Sequence, residues 1–271
     1  MQIKPRARAL AIPPAVVAVL IFLASCASTG TSEGGLNLIS VDQEWATRDE
    51  MHAQVMREMR LVNDRSALNY LNTVGRRIAA QTPLGNRQWD FFIVNDSAVN
   101  AFNLPGGLVY VNSGLIAEAD TLDELAGVLA HEIGHGAARH GTQLMTRAYG
   151  YNLLASLALG RNPSQTQQIL AQLVGTGVLT RYSRGAEHDA DHLGVNYAHR
   201  AGYDPRGLGS FLEELQSMRR SRPSKVQQFF SSHPLTEERV RNVQAEVSRL
   251  PRKASLTRDT RNYQQFRSRF R

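Results

Sequence analysis

Between residues 41 and 81 apolar side chains return every three or four positions, with Met51, Val55, Met59 and Val62 on one stripe, a period that predicts one or two amphipathic helices. The pattern changes at Trp89–Val94, where aromatic and branched residues alternate weakly. It changes again at Leu108–Val111, after Pro105-Gly106-Gly107, and both stretches read as strands. From Thr121 onward helical spacing returns. Thr121 with Glu124 three residues later has the form of a capping box, so a helix is expected to start there. Asp204-Pro205 opens another, ending near Arg220. Two apolar stretches, 148–160 and 167–180, are interrupted by Asn152, Ser156, Gln172 and Thr176 and fall short of the roughly 20 residues of a membrane span. They read as helices packed over the functional site, as plain core or as a lid that limits access, with dipping into the membrane as a third reading. The expected fold class is α+β and mainly α-helical, with a small β-sheet. Nothing near the C-terminus has the 34-residue period of helical repeats.

One of the helical stretches carries chemistry. His131-Glu132-Ile133-Gly134-His135 is an HExxH segment. On a helix, positions i and i+4 lie about 6 Å apart along the axis and roughly 40° apart around it, so both imidazoles reach one metal ion. Glu132 falls beside the metal, placed to take a proton from a bound water, and the implied reaction is hydrolysis of an amide bond. A third ligand decides the subclass. The pattern HExxHxxGxxH would need Gly at 138 and His at 141; this chain has Ala138 and Gly141, so His140 is one residue out of place and is not expected to be a ligand. Further on, the segment from Tyr182 to Asp191 places Glu187 one turn before Asp191. On a second helix Glu187 can complete a His, His, Glu set while Asp191 holds a ligand histidine by its other ring nitrogen. The alternatives are an acidic first turn of a solvated helix, and competition from His188 or His192. Two imidazoles and one carboxylate suit zinc best, one Zn2+ per chain.

The HEIGH segment, the YSRxxExxAD segment ending at Asp191, Asn100-Ala101-Phe102 followed by Leu104-Pro105-Gly106-Gly107, and His233-Pro234 with Arg239 together resemble metallopeptidase family forty-eight, the HtpX- and BepA-like gluzincin zinc peptidases. The resemblance spans about residues 50 to 250. It implies a zincin-like fold with the small sheet packed on the active-site helix, and a zinc endopeptidase in which His131, His135 and Glu187 bind the metal, Glu132 is the general base and Asp191 supports a ligand. His233 matches a histidine that in some members approaches the metal and takes its open position; a helix-terminal residue with no catalytic part is the other reading. The Asn100–Asn112 region borders the substrate cleft in the family, which makes Asn100, Ala101 and Phe102 candidates for a substrate-binding edge strand.

The ends of the chain change the picture of where such an enzyme works. Lys4, Arg6 and Arg8 precede an apolar run from Ala9 to Leu23 and then Leu23-Ala24-Ser25-Cys26, the order of a bacterial signal peptide with a lipobox. The expected division is a signal peptide over 1–25, a lipidated tether over 26–40, a peptidase domain over 41–250 and a basic tail over 251–271. Cys26 is the one cysteine, so no intramolecular disulfide forms, and it stands where lipidation would place it. Ala27 rather than Asp follows, which by resemblance to bacterial lipoproteins favours the outer membrane, facing the periplasm. The net charge of +7 suggests nucleic acid, but the distribution does not. Loss of the three signal-peptide cations leaves 28 basic residues against 24 acidic, and the tail alone carries +6, so the body is near −2. No nucleic-acid partner is expected, and the tail reads as a solvated, loosely ordered terminus able to meet anionic lipid. The substrates implied are unfolded or misfolded envelope proteins, with an assembly machinery as a partner. The rival function is a metal-containing chaperone or adaptor for outer-membrane proteins that rarely cuts.

Overall fold

A computed structural model of the chain describes residues 37–147, 150, 182–234 and 236–271. Three helices open it, α1 (Val41–Ala46), α2 (Arg48–Glu58) and α3 (Arg65–Ala79), where one or two were expected. α3 starts because the Asp64 side chain accepts from the N–H groups of Ser66 and Ala67, and its buried face of Ala67, Leu71, Val74 and Ile78 keeps helical spacing.

The sheet has three strands, β1 (Asp90–Val94), β2 (Ala101–Leu104) and β3 (Leu108–Asn112), in the order β1-β3-β2. β1 runs parallel to β3, with Phe92 opposite Tyr110, and β2 runs antiparallel to it, with Phe102 opposite Tyr110. β2 is the strand that the alternation pattern did not announce, because all four of its residues are buried and no polar face alternates with an apolar one. β3 is buried on both sides for the same reason. Val109 and Val111 face the main core, while Leu108 and Tyr110 face a smaller core with Met51, Val55 and Met145. The β2–β3 turn needs glycine: Gly106 and Gly107 have φ of 87° and 75°, a region that side chains with a Cβ seldom adopt.

After the short α4 (Ser113–Glu118) comes α5 (Leu122–Ala137), the central helix, which begins as the capping box requires, with Glu124 Oε2 accepting from the Thr121 N–H at 3.2 Å. It packs on β2, α3, α6 (Arg184–Arg200) and α7 (Arg206–Ser221), and nearly all of it is buried. α5 and α6 cross at glycines. A Cβ on Gly194 would lie 2.9 Å from His131 N, and one on Gly134 2.9 Å from Ala190 O, so the two backbones touch where any larger residue would part them. α8 (Pro223–Ser232) and α9 (Glu237–Arg249) complete the layer around α7.

The C-terminal segment corrects an expectation. Instead of a loose tail, residues 251–271 lie against the body and include α10 (Arg261–Arg267). Tyr263, Phe266 and Phe270 recur at i, i+3 and i+7, which makes an apolar stripe, and burying that stripe outweighs the pull of water on the arginines. Tyr263 donates its hydroxyl to Ala119 O at 2.7 Å, Phe266 stacks on Tyr70 at 4.7 Å between ring centroids, and Arg267 donates to Ala117 O at 3.0 Å, at the end of α4. The folded body therefore reaches Phe270. Among the described residues no helix is long and apolar enough to cross a membrane. Cys26 and, Gly150 apart, the apolar stretches within 148–180 lie outside the described residues.

Candidate metal centre

Three elements converge on one buried point. α5 brings His131, Glu132 and His135; α6, held close where Gly134 meets Ala190 and Gly194 meets His131, brings Glu187 and Asp191; and the residue after α8 brings His233. His233 closes α8, its N–H donating to Phe229 O at 2.7 Å, and Pro234 prevents the helix from continuing.

One donor atom from each of His131, His135, Glu187 and His233 lies within 4.8 Å of all the others. His131 Nε2 and His135 Nε2 are 3.1 Å apart; Glu187 is 3.6 Å from the first through Oε2 and 3.4 Å from the second through Oε1. His233 Nδ1 is 3.0 Å from Glu187 Oε1 and 3.4 Å from His131 Nε2. Two ligands each about 2.1 Å from a tetrahedral zinc ion stand about 3.4 Å apart, so the spacing of these donors fits zinc. The buried polar atoms agree. Both oxygens of Glu132 and Nε2 of His233 have no hydrogen-bond partner among the described residues, a lack that a cation or its bound water beside them would meet.

The charges around the point are strongly coupled. Burial pushes the Glu132 carboxyl above its ordinary value against the pull of His233 and His131. Burial works in the same direction on Glu187, but the facing imidazoles of His233 and His135 more than offset it and hold this carboxyl well below its ordinary value. His135 is pushed well down by burial. For His233 the carboxylates of Glu187 and Glu132 outweigh burial and raise it.

Behind the donors stands a second set of contacts. Asp191 Oδ1 lies 2.9 Å from His131 Nδ1, as the spacing on α6 led one to expect. Arg239, in the first turn of α9, donates twice to Asp191, at 2.8 Å each, approaches Glu187 Oε2 at 2.6 Å and donates to Pro234 O at 3.2 Å. One guanidinium thus ties Glu187 and Asp191 of α6 to the loop that carries His233. Tyr182 stacks on His135 with centroids 3.9 Å apart and donates its hydroxyl to Asn103 Oδ1 at 2.9 Å, which links the centre to β2. Sequence reasoning left Arg239, Tyr182 and Asn103 without a role. Arg239 and Tyr182 stand in motifs already singled out, and a polar Asn103 inside an apolar strand was a signal of its own.

His188 is exposed, and the exposed His192 pairs with Glu246 at 3.0 Å, so neither competes for the centre. His140 offers no atom to the donor cluster and meets the far side of His135. Asn100, Ala101 and Phe102 lie at and in the start of β2, an outer strand of the sheet that packs on α5.

An HExxH helix crossed by a second helix that supplies the third donor is a zincin-type metal centre. Its family is equally clear. The chain belongs to peptidase family M48, whose model matches residues 66–247. It is 32% identical over 223 residues to the beta-barrel assembly-enhancing protease of Yersinia pestis, covering 78% of this chain and 45% of that protein. The protein of the same name in Escherichia coli (strain K12) is 31% identical over 224 residues, with the same shares covered. The mitochondrial metalloendopeptidase OMA1 of Schizosaccharomyces pombe is 28% identical over 211 residues, 77% of this chain and 62% of that protein. The chain spans about half the length of the curated relatives it matches.

Proposed function

We propose that this protein is a zinc endopeptidase of the bacterial cell envelope that cuts misfolded envelope proteins, lipid-anchored through Cys26 to the outer membrane and facing the periplasm. The observation that carries the reading is the buried cluster of His131, His135 and Glu187 donors with Glu132 beside it. These three residues would hold the zinc ion, which when bound supplies a Lewis acid and lowers the pKa of a water. Glu132 accepts the proton of the attacking water and passes it to the departing amine. Asp191, itself held by Arg239, keeps the His131 ring in the orientation that ligation needs.

An extended substrate needs a strand to pair with, and β2 supports that role. Asn112 N–H donates to Asn100 O at 2.9 Å, so by antiparallel alternation Phe102 and Leu104 pair with β3 while the amides of Ala101 and Asn103 turn away from it. The far side of β1, by contrast, is taken: the Asn72 side chain both donates to Phe91 O and accepts from its N–H, and Val62 N–H donates to Ile93 O. The name of the beta-barrel assembly-enhancing proteases supports beta-barrel proteins as substrates and their assembly machinery as a partner.

One observation favours the rival reading of a metal-containing chaperone or adaptor. His233 stands in the fourth corner, which a catalytic zinc site leaves for water, so the peptidase reading requires that residue to withdraw. Digestion of casein by the purified, zinc-loaded protein decides. Cleavage is expected for the native chain, loss in Glu132→Gln and gain in His233→Ala. Activity that survives Glu132→Gln would refute the base assignment; no cleavage by any form with zinc bound favours the chaperone.

A further inference from the structure

The two ligand histidines are braced differently at their outer nitrogens. His131 faces a carboxylate, Asp191, but His135 Nδ1 lies 2.9 Å from Nδ1 of another histidine, His140. Only one proton can sit between those two nitrogens. A neutral His135 that gives its Nε2 lone pair to a metal carries its proton on Nδ1, so His135 donates and His140 accepts. The proton of His140 is then on its own Nε2, which stands 3.2 Å from Asp189 Oδ2. His140 is 6% exposed, and the facing oxygen of Asp189 is buried with no hydrogen-bond partner among the described residues.

This approach is built into the chain. On a continuous helix His140 would point roughly 140° away from His135, five residues earlier. α5 ends at Ala137, and Arg139 takes a φ of 60°, a left-handed backbone that is uncommon outside glycine, before residues 140–147 resume as helix. That corner is held by a buried ion pair from Arg139 Nε to Glu44 Oε2 at 2.7 Å and by a bond from Arg139 to Ile39 O. The backbone strain is stored where it turns the His140 ring back onto His135.

We propose that His140 and Asp189 form a positioning pair for His135, which orients its metal-binding nitrogen and so sets metal affinity without either residue touching the ion. The inference rests on His135 being a ligand, as in the function proposed above. It is tested on the purified full chain by competition for zinc with a chelating dye of known affinity, alongside urea unfolding of the metal-free protein. His140→Leu, which removes the acceptor, is expected to weaken zinc binding about 10- to 100-fold. His140→Asn, whose Oδ1 takes the place of Nδ1, is expected to stay within about threefold of the native chain, and Asp189→Asn to lose affinity by a smaller factor and to add nothing in the double variant with His140→Leu. A merely structural role would shift unfolding and leave the Asn rescue without effect. Native-like zinc affinity in folded His140→Leu overturns the proposal, as does equal weakening by Asn and Leu. Should His140→Leu fail to fold, unchanged affinity in Asp189→Asn overturns it. A native chain that binds no zinc would instead overturn the metal site itself, and this pair with it.

Discussion

Gly194→Ala should damage the metal site more than the fold, and its size follows from the helix crossing. The added Cβ would lie 2.9 Å from His131 N, 3.0 Å from His131 Cα and 3.1 Å from Ala130 C. These are backbone atoms of α5, with no flexible end to move aside, so α6 must retreat by several tenths of an ångström. Overpacking of this kind costs about 1–3 kcal/mol, and replacing glycine inside a helix returns about 1 kcal/mol. The net loss of stability should be about 0–2 kcal/mol. The retreat, however, carries Glu187 away from His131 and His135, because it stands on the same rigid helix two turns earlier. Gly185→Ala is the matched control: it lies in the first turn of α6, exposed, and its Cβ would meet only Ser183 Oγ at 3.9 Å. Urea unfolding followed by circular dichroism, with zinc content measured on the same samples, compares the two. Gly185→Ala should be neutral or slightly stabilising with full zinc, and Gly194→Ala weaker in zinc by tenfold or more. Equal zinc content and equal unfolding midpoints would refute the claim that this crossing sets the Glu187 position.

Tyr263→Ala removes a fully buried ring and its bond to Ala119 O, and should lower unfolding free energy by about 3–5 kcal/mol; a loss below about 1 kcal/mol in urea unfolding would return the C-terminal segment to the status of a loose tail. Asn72→Ala strips two hydrogen bonds from the Phe91 backbone at the outer side of β1, with an expected cost of about 1–3 kcal/mol, and hydrogen exchange at the Phe91 amide should rise with it; an unchanged exchange rate there would contradict the closed edge. Glu214, half-buried near Glu124, Asp120 and Glu118, is raised to about 7 by burial and then by those carboxylates. Its folded value lies above its unfolded one, so the folded state is favoured below about pH 4.5 and loses that advantage as pH rises through about 7. Glu214→Gln should therefore leave stability unchanged near pH 4 and raise it at pH 8 by roughly 1 kcal/mol after solvent screening; equal effects at the two pH values would exclude this source.

Local patterns carried the parts of the centre that lie within one or two helical turns. His131, Glu132 and His135 are related by α5 alone, and Glu187 and Asp191 by α6 alone, so their grouping on each helix was legible in spacing. What spacing could not supply was the distance between those two helices, which depends on Gly134 lying against Ala190 and Gly194 against His131, residues far apart in the chain. The same limit explains β2 and α10. A strand buried on every side shows no alternation, and a tail rich in arginine hides a three-residue aromatic stripe whose partners, Ala119 and Tyr70, lie far back in the sequence. His140 is the sharpest case. Helical counting set it aside as a ligand and gave it no other place, because counting assumes that the helix goes on. It does not, since Arg139 turns left-handed under the hold of Glu44, from a helix nearly a hundred residues earlier. On the role proposed for His140, Glu44 of the N-terminal helix braces the turn that brings this ring to His135, and a change at Glu44 is expected to reach the metal site by that route.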